Sequence, residues 1–394
     1  MKKNKLIFLV LFLAYSSIYI ARLNLTIASP VLKENAILNS AQIGILGGIF
    51  AVVFSVGRLI NGYLSDLIAP YKMICIGLAL SALGNILFSL FPPFYGLMFL
   101  WGINAFSQSM LWSSILCVVS SIYDKSKAGK MASYMVTSVA AGNILGIIVS
   151  TVIITNLNVG FAFVIPGAIM LVFSFLSFLS VRSVPYSKPD KKEHISLFKL
   201  FTDKKIMPVM IPSFCHGVMK ENVGVWMSLY FVEKFNIDLA KSALFILFIP
   251  FIGFIGRISY PLMYKLCKNN EHMVSVFGFS VCILSSIVIC FSNQPVLSAA
   301  CLSLIYAAAS VINTSVLSIF PLRFVKSNNV ASVSGLLDFM CYLGAGIGSF
   351  VFGIIIDGFG YEPMYITFAV ISAVSILVLF NIIGNFKLFS RKNA

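Results

Sequence analysis

At 394 residues, 59% hydrophobic and only 10% charged, the chain has too few polar groups to cover a soluble core. Soluble domains carry roughly 25% charged residues. A net charge of +15 would point a soluble protein toward nucleic acid; here topology places the basic residues, and nucleic acid is excluded as a partner.

The first element is an apolar run behind Met1-Lys-Lys-Asn-Lys5, continuing past Arg22 to Pro30 without a small-residue cleavage site. It reads as a first, uncleaved span and not as a signal peptide. A helix needs roughly 20 residues to cross about 30 Å of hydrocarbon. Apolar runs separated by polar breaks predict twelve spans, near 7–31, 41–65, 73–91, 94–121, 131–154, 160–181, 207–232, 241–264, 272–291, 295–320, 331–356 and 362–386. The long polar stretch Arg182–Lys205 divides them six and six. This predicts an N-terminal bundle at 1–181, a cytoplasmic linker at 182–206 and a C-terminal bundle at 207–394. Within the linker, His194–Phe201 alternates in the manner of a short helix lying on the membrane surface.

Orientation follows from Lys and Arg. With the N-terminus inside, 21 of them fall in inner segments and 3 (Lys33, Lys234, Lys241) in outer loops. Twelve spans with both termini cytoplasmic, in the plasma membrane, satisfy this pattern. Sliding the sequence by 199 residues aligns Gly57-Arg58 with Gly256-Arg257, Ala132-Ser133 with Ala331-Ser332, and Glu34 with Glu233. A parallel repeat of two six-helix halves suits a transporter whose site lies near the bilayer midplane. The eight Cys lie mostly in apolar runs with no CxxC, so they read as free thiols; no metal or other cofactor is expected.

Charges within spans cost roughly 2.5–3.5 kcal/mol each on insertion scales and mark function by default. Arg22 lies deep in span 1 and Lys220 deep in span 7, and the repeat offset carries Arg22 to within one residue of Lys220. Two such cations in matching places repel unless an anion binds them both. Arg suits phosphate or carboxylate through its planar fork, whereas Lys acts as a point charge. Local neutralisation is the alternative for each cation; Glu221 adjoins Lys220, but neighbouring helix positions point about 100° apart, so it need not pair with it. His216, one turn before Lys220, and Tyr19, three residues before Arg22, share faces with the cations. Trp112, Trp226 and Tyr342 are further candidates for lining the pathway, while Glu221 and Asp338 are candidates for proton coupling. Gly142–Gly146 and the glycines from Gly344 to Gly353 permit close helix approach; without a preceding strand and a Lys-Ser/Thr ending they are no phosphate loop.

The segment Gly62-Tyr-Leu-Ser-Asp66-Leu-Ile-Ala-Pro70-Tyr-Lys72 resembles the Gly-x3-Asp signature of the major facilitator superfamily, in the variant of its organophosphate:phosphate antiporters. Span 1, with Tyr19, Arg22, Asn24 and Pro30, is similar to a pattern shared by that branch and the anion:cation symporters. Lys220 followed by Trp226, and Gly335 through Asp338 to Tyr342 and Ala345, also resemble the branch. The resemblance implies the all-α major facilitator fold and a carrier, not an enzyme. It further implies a cytoplasmic latch at Asp66, near the Arg58 position, and joint phosphate binding by Arg22 and the span 7 cation. The branch commonly has Arg where this chain has Lys220, which leaves a carboxylate open as cargo. The resulting expectation is a secondary active transporter, a monomer in the bilayer, exchanging a small organic anion by alternating access. The alternatives are a proton-coupled carboxylate or sugar-acid symporter and a transporter-like membrane sensor.

Overall fold

The computed structural model describes residues 2–65, 68–184, 200–327 and 330–392, and all the regular structure among them is helical. The helices are α1 (Lys2–Glu34), α2 (Ser40–Leu64), α3 (Pro70–Phe88), α4 (Phe94–Ser109), α5 (Leu111–Ile122), α6 (Lys125–Asn156) and α7 (Phe161–Val181), followed by α8 (Met207–Phe235), α9 (Leu239–Leu266), α10 (Glu271–Cys290), α11 (Pro295–Asn313), α12 (Val330–Phe359) and α13 (Glu362–Lys392). Local chemistry sets several starts. Proline occupies the first turn of α3 and α11, where its missing N–H costs nothing. The Asn270 side chain caps α10 by accepting from the His272 and Met273 amides.

Eleven helical stretches among the described residues are long and apolar enough to cross a bilayer. The stretch left out is α8, whose 29 residues exceed the crossing length. Its middle holds His216, Lys220, Glu221 and Asn222, so the least apolar span carries the densest chemistry. Helices satisfy their own backbone groups, as hydrocarbon demands. Large side chains such as Phe99, Phe175, Leu284 and Leu377 stand exposed, a surface suited to acyl chains. Two predicted spans are not simple helices. The span near 94–121 is α4 and α5, joined at Met110, and the one near 295–320 leaves α11 through a π-helical turn (Thr314–Ile319) into a 3-10 turn (Phe320–Ser327). The amphipathic stretch of the linker lies outside the described residues except for Leu200 and Phe201.

The chain divides into two compact units, Met1–Lys191 with Asn236–Leu247, and Lys192–Phe235 with Phe248–Ala394. In the first, α1 packs on α6 and α7, α2 on α4, and α3 on α4 and α7. In the second, α8 packs on α12, α13 and α11, and α10 on α11 and α13. Similar interactions recur inside each unit within two residues of the repeat spacing. A Cβ at Gly57 would strike Ser109 and Phe106 of α4, and one at Gly256 would strike Ala307 of α11. The Ser16 hydroxyl donates to the Ser138 carbonyl across α1 and α6 (3.1 Å), and the Ser213 hydroxyl to the Leu337 carbonyl across α8 and α12 (2.6 Å). Related sequences have therefore produced related seams.

Candidate functional site

In the first unit, Arg22 is half-buried on α1, its guanidinium 4.6 Å from the Phe50 ring centre and 5.3 Å from that of Phe54. Phe50 and Phe54 stack at 5.8 Å, and Arg58 lies 5.7 Å from Phe54. Positions 50, 54 and 58 form one stripe of α2, because four residues make about one turn. The rings hold the planar guanidinium by cation–π attraction, which is stronger where water is excluded. Tyr19, one turn before Arg22, meets Tyr15 edge-on at 5.7 Å, and Tyr15 meets Trp112 at 5.1 Å. Through these ring contacts Trp112 joins the arginine's helix at Tyr15.

Behind Arg22 runs an uncharged polar ladder that was not among the expected site residues. Asn24 donates to Asn85 (2.8 Å) and to the Ala162 carbonyl (3.0 Å), and Asn85 donates to the Ser81 carbonyl (3.1 Å). The Ser81 hydroxyl donates to Asn104 Oδ1 (2.5 Å), which also accepts from Gln108 (3.0 Å). All five side chains are buried. The signal was present in the i, i+4 pairs Ser81/Asn85 and Asn104/Gln108 within apolar spans. The ladder ties α1, α3, α4 and α7 together beside the cation and so fixes the rotation of α1 that presents it.

In the second unit, Lys220 Nζ and Glu221 Oε1 form an ion pair at 2.6 Å, with side chains 12% and 21% exposed. Of the two readings the sequence left open at this position, local neutralisation is the one the geometry shows, although the adjacent positions point apart. The two side chains are long enough to bend across the helix face and meet, and low dielectric strengthens their attraction. Tyr306 of α11 with Tyr342 and Cys341 of α12 lie within electrostatic range of the Lys220 ammonium. His216 is fully buried, with Nδ1 3.3 Å from the Cys341 sulfur, while Nε2 makes no hydrogen bond among the described residues. Trp226 is also fully buried. Asp338 is half-buried on α12, one turn before Tyr342. Asp66 lies outside the described residues, so the latch expected there stays an expectation.

Two further charge clusters escaped the sequence reading because their partners are distant along the chain. Arg323 Nε reaches Glu271 Oε1 at 2.5 Å, with His272 Nε2 3.9 Å from the same oxygen. At the C-terminal end of α8, Lys234 pairs with Glu362 (2.8 Å) and Tyr361 donates to Glu233 (2.7 Å). Burial, aided by the Glu233 carboxylate, pushes the Tyr361 hydroxyl well above its ordinary range. Among the described residues no group of three or more His, Cys, Asp or Glu is placed to hold a metal ion.

Comparison with known proteins places these features in context. The model of the Major Facilitator Superfamily matches residues 7–349. A probable hexose phosphate transport protein of Chlamydia trachomatis is 29% identical over 181 residues, 46% of this chain and 40% of that protein. The chain thus aligns with less than half the length of that relative. A phosphoglycerate transporter protein of Salmonella typhimurium is 21% identical over 392 residues, covering 90% of this chain and 83% of its own. Among solved structures, the nucleoside transporter NupG superposes with a TM-score of 0.84 at 14% identity, covering 95% of this chain and 99% of that one. At that identity the likeness is one of fold.

Proposed function

The chain belongs to the Major Facilitator Superfamily, and we propose that it carries a small organic anion across a membrane by alternating access. Phosphate esters are the favoured cargo class, given relatives named for hexose phosphate and phosphoglycerate transport. The observation that carries the reading is the pair of cations at repeat-matched positions, Arg22 and Lys220, each in a span where a charge is costly. Arg22, its guanidinium over the Phe50 and Phe54 rings, supplies a planar fork of the kind that suits a phosphoryl or carboxylate group. Lys220 adds a point charge, and Tyr342, near its ammonium, adds a hydroxyl donor. Tyr19, Trp112, His216 and Trp226 shape the surroundings of these groups. Exchange of anions, with both termini cytoplasmic in the plasma membrane, is the mode and setting that the resemblance to the antiporter branch favours.

The test is uptake into proteoliposomes loaded with inorganic phosphate, using labelled glucose 6-phosphate, glycerol 3-phosphate, 3-phosphoglycerate and a dicarboxylate. Losing a hydrogen bond to a charged group costs about 1.5–3 kcal/mol, so Arg22→Ala and Lys220→Ala should each lower uptake about 10- to 100-fold. Wild-type rates in both variants would refute the assignment. Saturable binding of a probe without any transport would make the protein a sensor.

A further inference from the structure

We propose that a cavity at the start of α3 seats the headgroup of an anionic phospholipid, held by Arg182 and Tyr71 while the acyl chains run along the outer faces of α3 and α7. The site lies wholly within the first unit and is independent of what the protein carries.

The cavity has a volume of about 60 Å³ and lies where α3 begins and α5 and α7 end, walled by Pro70 and Tyr71, Val118 and Ser121, and Val181 and Arg182. A single water needs only about 10–15 Å³, so a larger polar group fits. With 19 and 21 residues, α3 and α7 just cross the hydrocarbon, and a cavity at their ends falls among the headgroups. A seam between the two helices leads to it. The Ser174 hydroxyl donates to the Cys75 carbonyl (2.9 Å), and one turn further on each helix the Tyr71 and Phe178 rings meet at 6.3 Å. One more turn places the Arg182 guanidinium 5.3 Å from the Phe178 ring centre. Phe178 thus stands between the two side chains that offer polar tips to the cavity, and its face attracts the guanidinium.

Three properties select the ligand. The first is charge: Arg182 lines the cavity, Lys72 is exposed beside Tyr71, and among the described residues no carboxylate lines it. A planar guanidinium is the side chain best matched to the oxygens of a phosphodiester. The second is chemical type, since Arg and Tyr each join an apolar stem or ring to a polar tip, as a membrane interface requires. The third is the apolar surface below. On the lipid side α3 exposes Ile76, Leu80 and Leu83 at intervals of one turn, and α7 exposes Phe175 and Leu179. A soluble anion gains nothing from that surface, whereas acyl chains cover it. A lipid bound in this way ties the ends of α3, α5 and α7 together.

The experiment is native mass spectrometry of the purified, delipidated full chain in detergent, titrated with phosphatidylglycerol and, in parallel, with phosphatidylcholine of the same acyl chains. Wild type should bind a first phosphatidylglycerol more tightly than phosphatidylcholine. Because an anionic membrane lipid and one nearby basic residue attract modestly, Arg182→Gln should weaken that first phosphatidylglycerol about fivefold. Tyr71→Phe should weaken it by less, and Arg182→Lys should restore part of the loss. Lys265→Gln, which removes an exposed cation from the second unit, should leave it unchanged. Equal affinity for the two lipids in wild type, or equal phosphatidylglycerol affinity in wild type and Arg182→Gln, overturns the proposal. So does displacement of the bound lipid by millimolar inorganic phosphate, which would assign the cavity to a free ion. Should Arg182→Gln not fold, phosphatidylglycerol with a photoreactive acyl chain is crosslinked to wild type. Labels on the peptides holding Ile76, Leu80, Phe175 or Leu179, reduced by excess phosphatidylglycerol but not by phosphatidylcholine, support the site; labels confined to other helices overturn it.

Discussion

Replacing Gly217 with Ala probes the seam that sets the register of Lys220. A Cβ at Gly217 falls inside the Cys341 backbone carbonyl, and its next neighbours are also Cys341 backbone atoms. Backbone cannot rotate aside as a side chain does, so α8 and α12 must part by roughly an ångström or more. Three contacts cross this seam: Ser213 to the Leu337 carbonyl at 2.6 Å, His216 to Cys341 at 3.3 Å, and Asn222 to the Ala345 carbonyl at 3.2 Å. Interhelical bonds in membranes average about 0.6 kcal/mol, so losing all three costs about 2 kcal/mol. Overpacking adds about 1–3 kcal/mol, and the better helix propensity of Ala returns about 1 kcal/mol. The net loss is about 2–4 kcal/mol. Gly224, on the same helix, has nothing within 4 Å of an added Cβ, so Gly224→Ala keeps only the propensity gain. Thermal unfolding of the purified variants in detergent is the assay. At about 2–4 °C per kcal/mol for a unit of this size, Gly217→Ala should melt roughly 4–16 °C below wild type, and Gly224→Ala at or above it. A Gly217→Ala melting temperature equal to wild type would refute the seam as described.

Two other outcomes follow from the same geometry. Asn24→Ala removes the donor to Asn85 and to the Ala162 carbonyl beside Arg22. It should cost about 1–2 kcal/mol of stability and raise the KM for anion uptake more than it lowers the maximal rate, read from melting and uptake curves. An unchanged KM would sever the ladder from the cation. Tyr361 keeps its proton in the folded protein at pH values where the unfolded chain, at the ordinary 10.0, has lost it. Stability from this group is therefore complete below pH 10.0 and declines as pH rises beyond it. Melting temperatures measured from about pH 9 to 11 should fall more steeply for wild type than for Tyr361→Phe; parallel curves would count against the Tyr361–Glu233 bond.

Spans and cations were legible because hydropathy and insertion cost are properties of local sequence. Arg22 and Lys220 stand out in apolar runs whatever surrounds them. The pairing of Lys220 with Glu221 was not legible from backbone direction, because long side chains can cancel a 100° divergence when the medium makes separated charges expensive. The break at Met110 was hidden for a different reason, since it carries no Pro or Gly, whereas the π-helical turn from Thr314 runs into Pro321, whose missing N–H leaves the helix ladder short at that point. Glu271 and Arg323 lie 52 positions apart and meet only through the packing of α10 against the turns after α11. Such partners belong to tertiary structure, and no periodicity announces them.

The two repeat-related cations have acquired different company, and the difference divides the labour expected of the halves. The Phe50 and Phe54 rings lie against Arg22, and two residues along α1 begins a ladder of amides and hydroxyls, groups that do not titrate in the physiological range. Around Lys220 stand a carboxylate, an imidazole, a thiol and two phenols. A fixed guanidinium on a rigid aromatic face favours geometric recognition of the anion's head group. An ammonium already shared with an acid favours exchange of partners and, with it, movement of a proton. Substitutions along α1 and α2 should therefore alter which anion is chosen, whereas those along α8 and α12 should alter how its binding depends on pH.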